Sequence, residues 1–348
     1  MSRRKITSQD VAARAGVSRT TVSYVLNNVE TANISEQTRQ RVLDAADALD
    51  YVPNAAAQML AGHRSHIIGL VFPHTHPHLA THLFLLQILE GLMTVVQQQG
   101  MRLLIDSVES SHESAYLDLA RAKRIDGLIL IDVPAEDRAL HRLAHDDFPI
   151  VTLGHNHPNL CSVDVDNEKG AQQAVDHLLA QGHKRIGCIT NAPTTTNPNL
   201  RLVGYQTALR TAGLALDECL LAEGSYKPES GFAAMQQLLA LSNPPTAVFV
   251  ASDVVAFGAL AAIQERGLRV PADMAVVGFD DVPLARYAQP PLTTVRMPTI
   301  EMGQRAGELL YDQILGKPVE SSVLFETELI VRASSVSTRC SLESGACA

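Results

Sequence analysis

Residues 10 to 28, Asp10-Val11-Ala12-Ala13-Arg14-Ala15-Gly16-Val17-Ser18-Arg19-Thr20-Thr21-Val22-Ser23-Tyr24-Val25-Leu26-Asn27-Asn28, read as two short helices joined at Gly16-Val17. Val11, Ala12 and Ala15 give the first helix an apolar stripe at helical spacing. Thr7 is placed to cap it, with Asp10 in the first turn. Gly16 allows the sharp turn and Ser18 can cap the second helix. Val22, Val25 and Leu26 then face the first helix, which leaves Arg19, Thr20, Ser23 and Tyr24 pointing outward. A unit of this kind is a helix-turn-helix, whose second helix reads bases in the major groove of DNA.

A third helix opens at Ser35-Glu36-Gln37-Thr38 and runs through Val42, Leu43, Ala46 and Leu49 to Tyr51. Pro53-Asn54 ends it, and a brief helical stretch, Ala55 to Gly62, follows. This run resembles the headpiece of the lac repressor and purine repressor family (LacI–GalR). The resemblance rests on Asp10-Val11-Ala12, Ala15-Gly16-Val17-Ser18, Thr21-Val22-Ser23, Leu26-Asn27, Thr38-Arg39, Tyr51-Val52-Pro53-Asn54 and Ala57-Gln58-Met59-Leu60.

It implies that Arg19 and Thr20, at the start of the recognition helix, meet base edges. An arginine there offers a bidentate fork to guanine, the competing role being a phosphate contact without sequence information. Thr7, Ser18, Thr21, Ser23, Tyr24, Asn27 and Thr38 join the DNA-binding set, Ser18, Thr21, Asn27 and Thr38 with hydroxyl or amide groups on phosphates. Tyr24 stands where many relatives carry arginine or histidine, and the loop 28–34 is about two residues longer than in close relatives. Asn54, Ala57 and Leu60 belong by resemblance to a hinge helix in the minor groove, with Leu60 as the wedge between central base pairs. That segment, under three turns long, is marginal on its own, since helix nucleation is costly.

Length and charge agree. A chain of 348 residues suggests about two domains. From Met1 to Arg41 seven basic residues face three acidic ones, a net of +4 in a chain of net −9, leaving −13 for the remainder. A basic head on an acidic body confines phosphate attraction to one end. Five scattered cysteines, Cys161, Cys188, Cys219, Cys340 and Cys347, form no Cys-x-x-Cys pair, which argues against structural disulfides or a cysteine zinc site. No stretch reads as a signal peptide or a membrane span, so a cytoplasmic location is expected.

After Gly62, strand-like runs recur at 67–72, 103–105, 127–131, 150–153, 186–189, 247–250 and 275–278. Helical segments at about 80–100, 171–180, 203–212 and 254–266 separate most of them. Such alternation implies α/β architecture, parallel sheets with helices on both faces, and too many strands for one compact sheet. Two similar lobes are expected. The region resembles the effector-binding core of the same family, which has the fold of periplasmic sugar-binding proteins, through Arg124-Ile125-Asp126-Gly127, Val165-Asp166-Asn167, Gly182-His183-Lys184-Arg185-Ile186-Gly187, Arg201-Leu202-Val203-Gly204-Tyr205, Ser252-Asp253, Val277-Gly278-Phe279-Asp280-Asp281 and Pro291-Leu292-Thr293-Thr294-Val295. The expected layout is a headpiece at 1–53, a hinge helix and linker at 54–65, a core at 66–339 and a tail at 340–348. The chain is expected to cross between lobes near Cys161, Leu292 and Ser322, giving lobe 1 about 66–161 and 292–321, lobe 2 about 162–291 and 322–339.

Between the lobes the resemblance implies an effector site of Arg201, Asp280 and Ser252, with Tyr226 and Phe84 as flat apolar faces and Asp166 and His155 near the cleft. A guanidinium donates to ring or hydroxyl oxygens and a carboxylate accepts from neighbouring hydroxyls, which suits a sugar. A plain Arg201–Asp280 salt bridge is the competing reading. Thr195 and Asn197 occupy the loop where a purine-binding relative would add an arginine, so a purine or nucleoside is the second choice. His74, His76, His78 and His82 form a cluster with spacing compatible with zinc or nickel. The favoured role is lining the cleft mouth, where relatives have Asn-Pro-Phe-Phe.

No dinucleotide fingerprint, phosphate-binding loop or nucleophile elbow occurs, so neither an enzyme nor a cofactor is expected. A sugar receptor without a regulatory role is disfavoured by the attached headpiece. The expectation is a homodimeric transcriptional regulator, a repressor, on a palindromic operator in double-stranded DNA. The tail lacks leucine heptads, so a coiled-coil tetramer is not expected.

Overall fold

The computed structural model describes residues 6–26, 32–52, 64–73, 83–108, 115–131, 138–154, 159–191, 196–225 and 227–336. The chain divides into two compact units, Met1–His66 and Ile67–Ala348.

In the first unit, α1 (Ser8–Ala15), α2 (Arg19–Leu26) and α3 (Glu36–Ala48) enclose a core of Val11, Ala12, Ala15, Val22, Val25, Val42, Ala45 and Ala46. Thr7 closes a capping box with Asp10, its backbone N–H donating to Asp10 Oδ2 at 2.9 Å. Gly16 ends α1 in the left-handed region at φ 67°, where a side chain is strained. Leu43 departs from expectation. It is 42% exposed, because Val42, Ala45 and Ala46 set the buried face and residue 43 lies about 100° round the helix from Val42.

The second unit holds two six-stranded sheets. Sheet 1 runs β11-β5-β4-β3-β1-β2, from β1 (Ile67–Pro73), β2 (Arg102–Val108), β3 (Gly127–Ile131), β4 (Ile150–Leu153), β5 (Cys161–Val165) and β11 (Ser322–Phe325), all parallel. Sheet 2 runs β12-β10-β9-β8-β6-β7, from β6 (Ile186–Asn191), β7 (Leu221–Gly224), β8 (Ala247–Val250), β9 (Ala275–Asp280), β10 (Thr293–Arg296) and β12 (Glu328–Ile330). Only β12, at its edge, is antiparallel.

Alternation along each strand divides the core. In lobe 1, Ile68, Leu70 and Phe72 share a cluster with α4 (Leu83–Gln98) and α11 (Thr299–Ile314). Val71, Leu128 and Leu130 face α5 (Ala115–Arg121) and α6 (Arg138–His145). Helices α4 and α11 approach closely at Gly91 and Gly303, where an added Cβ would strike the Ile300 and Ile88 carbonyl oxygens. In lobe 2, α7 (Asn167–Ala180) and α8 (Thr196–Thr211) cover one face, and α9 (Pro228–Leu239) and α10 (Asp253–Glu265) the other.

Strands β5 and β11 belong to sheet 1 and β10 to sheet 2, which moves every crossing a few residues beyond its expected place. The chain crosses at Asp166, at Met297–Pro298 and at Glu326–Thr327, not at Cys161, Leu292 and Ser322. The reason is physical. Each crossing follows a complete strand, and Cys161, Leu292 and Ser322 stand at or just before the start of one. All three crossings therefore leave from the C-terminal ends of strands, the edge where open α/β sheets bind ligands.

Candidate effector site and DNA-reading face

In the first unit, the outward-facing residues of α2 are held by short local bonds. Ser18 Oγ accepts from the Thr21 N–H at 3.0 Å and lies 2.9 Å from Thr21 Oγ1, capping the helix. Arg19 donates from Nε to Ser8 Oγ at 3.0 Å, so its stem is aimed across the start of α1 while its Nη groups stay unengaged among the described residues. Thr20 and Tyr24 are exposed and Ser23 is half-buried. Thr38 sits in the first turn of α3, accepting from Ser35 Oγ at 2.9 Å. These residues are brought to one unit as the sequence implied. Asn27, Asn54, Ala57 and Leu60 lie outside the described residues.

In the second unit, Arg201 is the centre of the site. It projects from α8 and is 6% exposed. Its Nε donates to Asn167 Oδ1 at 2.8 Å, and its Nη1 to the Ala251 carbonyl at 2.6 Å and to Asp280 Oδ1 at 3.2 Å. Its Nη2 meets the Met297 sulfur at 3.4 Å. The guanidinium stacks over Phe279, 3.7 Å from the ring centroid. Five N–H groups thus have four acceptors, one of them a weak thioether. Donor capacity remains on Nη2, at the side facing the second crossing.

Asp280 ends β9 at φ 118° and Asp281 follows at φ 54°, two successive non-glycine residues in the left-handed region. The turn is pinned from both sides. Asp253, wholly buried, accepts from the Val282 N–H at 3.0 Å and from the Thr294 hydroxyl at 2.6 Å. Asp281 is clamped by Arg296 at 2.8 Å and Arg332 at 2.6 Å. Burial pushes both Asp253 and Asp280 up from the usual carboxylate range, Asp280 being restrained chiefly by Arg201. Ser252, at the N-terminus of α10, lies beside the Asp280 carboxylate and helps Arg201 hold it down against burial.

Asp166 caps α7, accepting from the Lys169 N–H at 2.9 Å. Phe84 lies half-buried in the first turn of α4, packed on the lobe 1 core. His155, Tyr226 and the cluster His74, His76, His78 and His82 lie outside the described residues, as does Thr195. Among the described residues no group of three or more acidic, histidine or cysteine side chains is arranged to hold a metal.

Three residues of the site carried no assigned role in the sequence: Asn167, Phe279 and Met297. Each is a direct neighbour of Arg201. Asn167 and Phe279 stand inside motif phrases quoted for the core, Val165-Asp166-Asn167 and Gly278-Phe279-Asp280, which was the available signal. Met297 had none.

Comparison with known proteins accounts for both units. Residues 7–54 match the model of "Bacterial regulatory proteins, lacI family", and residues 175–335 that of a "Periplasmic binding protein-like domain". The HTH-type transcriptional repressor CytR of Escherichia coli (strain K12) is 37% identical over 333 residues, covering 94% of this chain and 96% of CytR. The chain belongs to the LacI family. Like the relatives CytR, CelR and PurR, it is a DNA-binding transcriptional regulator rather than an enzyme. The Lac repressor dimer bound to operator and the anti-inducer ONPF superimposes with a TM-score of 0.85 at 32% identity, over 96% of this chain and 100% of that one. A CelR–cellobiose complex superimposes with a TM-score of 0.73 at 34% identity, over 94% and 99%. This LacI-family member thus has the expected architecture, a helix-turn-helix unit and a core of two parallel-sheet lobes. No helix among its described residues is long and apolar enough to cross a membrane.

Proposed function

We propose that this regulator is a cytoplasmic repressor that binds a palindromic operator as a homodimer and is switched by a sugar held between its lobes. The observation that carries the effector reading is the buried Arg201–Asp280 pair at the crossing edge, on a strained turn that several side chains hold in place. Strain maintained at such cost is a mark of a functional position. The pair couples a hydrogen-bond donor with capacity left on Nη2 to a carboxylate with lone pairs to spare, the combination that neighbouring sugar hydroxyls satisfy. The Phe279 ring fixes the guanidinium plane from beneath. Cellobiose in the CelR complex supports a sugar as the effector class.

Arg201 also supplies the switch. Asn167 and Met297, two of its partners, sit at the first and second crossings. An effector that draws on Arg201 redistributes these bonds, and so biases the angle between lobes by the difference in its affinity for the two arrangements. On the DNA side, Arg19, Thr20, Ser23 and Tyr24 form the reading face of α2, with Thr7, Ser18, Thr21 and Thr38 near phosphates.

A thermal-shift screen with sugars, nucleosides and divalent metals tests this reading. A ligand that binds the folded state alone raises the melting temperature. A response to a sugar, lost in Asp280→Asn and accompanied by altered operator affinity, is the expected result. A response to nucleosides or metals alone replaces the sugar by that class.

A further inference from the structure

Asn191 ends β6 with 2% of its surface exposed, and its side-chain oxygen Oδ1 has no hydrogen-bond partner among the described residues. A buried acceptor left unpaired is uncommon in a native fold and calls for an explanation in function or bound solvent. The position supplies one. In sheet 2, Ile189 lies beside Val250 and Phe249 beside Val277. Carried to the strand ends, that register sets Asn191, Ser252 and Asp280 in one row across the C-terminal edge of lobe 2. Gly224 of β7 is beside Asn191 at the far end.

Asn191 is two residues beyond Ile189 on β6, and Ile189 packs in the core beneath α9 and α10, so the Asn191 side chain shares that face at the strand end. Neighbouring strands lie about 4.8 Å apart, so the backbones of Asn191 and Asp280 are about 10 Å apart. That span is wider than one six-membered sugar ring. A primary amide presents an acceptor and a donor side by side, the match for a pair of adjacent hydroxyls.

We propose that Asn191 is the distal reader of the effector site, and that the row Asp280–Ser252–Asn191 takes a glycoside of two linked rings. Asp280 binds the hydroxyls of one ring, and Asn191 accepts from and donates to those of the other. The inference rests on the sugar reading above and extends it from sugar to disaccharide.

Calorimetric titration of the full chain with cellobiose, maltose and glucose tests it, on the wild type, Asn191→Ala and Asp280→Ala. The expected result is disaccharide binding that weakens tenfold or more in Asn191→Ala, while glucose binding changes less than twofold. The melting temperature of Asn191→Ala without sugar stays level or rises, because an unpaired buried acceptor is removed. Unchanged disaccharide affinity in Asn191→Ala, with Asp280→Ala inactive, overturns the distal assignment and leaves the sugar reading intact. A melting temperature lowered by several degrees, with equal loss for all sugars, overturns it in favour of a structural water on Asn191. A wild type that ignores all three sugars, or an Asp280→Ala variant that binds them normally, overturns both readings.

Discussion

Arg201 Nε donates to Asn167 Oδ1 at 2.8 Å, joining helix α8 of lobe 2 to the first residue after the first crossing. Asn167 is itself 1% exposed, and its amide nitrogen donates to Asp164 Oδ1 at 3.1 Å and to the Val165 carbonyl at 3.2 Å. One amide thus links a carboxylate of β5 in lobe 1 to the guanidinium of lobe 2. Asn167→Ala leaves a buried cationic N–H without its acceptor, which costs about 2–3 kcal/mol. Urea unfolding of wild type and variant measures it. A loss under 0.5 kcal/mol, taken as about the size of an ordinary surface substitution, contradicts this account.

Asp280→Asn keeps an oxygen for Arg201 Nη1 but removes the charge. Sugar affinity is expected to fall at least tenfold, with the fold retained. Asp280→Ala strands Arg201 in a buried site, and a stability loss of about 3–5 kcal/mol accompanies it. Comparing the two by titration and thermal melting separates binding from folding. Equal effects on both readouts in the Asn variant count against a ligand role.

Asp164 gives the core a pH dependence. Burial raises its carboxyl to about 6, against hydrogen bonds from the Val165 N–H and Asn167 and the charge of Arg201. A carboxyl whose folded pKa lies above its unfolded value of 3.8 stabilises the fold fully below that unfolded value, and the contribution is lost as pH rises through about 6. Stability of the wild type is therefore expected to fall between about pH 4 and 6 through this group. Asp164→Asn keeps an acceptor for both donors and flattens that slope, by on the order of 2 kcal/mol in all. Melting curves at about pH 4, 5 and 6 read the difference, and identical slopes reject it.

Arg19→Ala distinguishes the two roles open to an arginine at the start of α2. Base reading makes the loss of affinity depend on the base pair it faces, about 1–3 kcal/mol at that pair. Equal weakening for every operator variant, with a shallower salt dependence, assigns it to phosphate. The Ser8 bond also predicts that Ser8→Ala loosens Arg19, with a smaller loss of the same pattern.

Much of this was legible in the sequence, because the headpiece and the inner strands carry strong local signals. Gly16 sits where only a left-handed turn lets α2 dock, and β3 and β8 are short unbroken apolar runs buried along their length. The strands that escaped notice had weaker patterns. β5 interleaves Ser162 and Asp164 with its apolar residues, and β11 and β12 are exposed edges whose pairing partners lie far away in sequence. That is why the first and third crossings lie later than their expected places, and the second does because β10 (Thr293–Arg296) begins with two threonines that hide it as a strand. Site partners were missed for the same reason. Asn167 and Met297 are 34 and 96 residues from Arg201, and a contact at that separation leaves no local periodicity to read.

The shared edge of the three crossings has a mechanical consequence. Three strands leaving one edge act as an axle, and displacement under rotation grows with distance from it. Arg201 lies beside the axle, so its own movement is small. Ile67 begins β1 at the opposite end, about 20 Å away along the strand, and the segment that leads back to the helix-turn-helix unit attaches there. Any rotation about that edge would displace Ile67 several times farther than the guanidinium, in proportion to their distances from it.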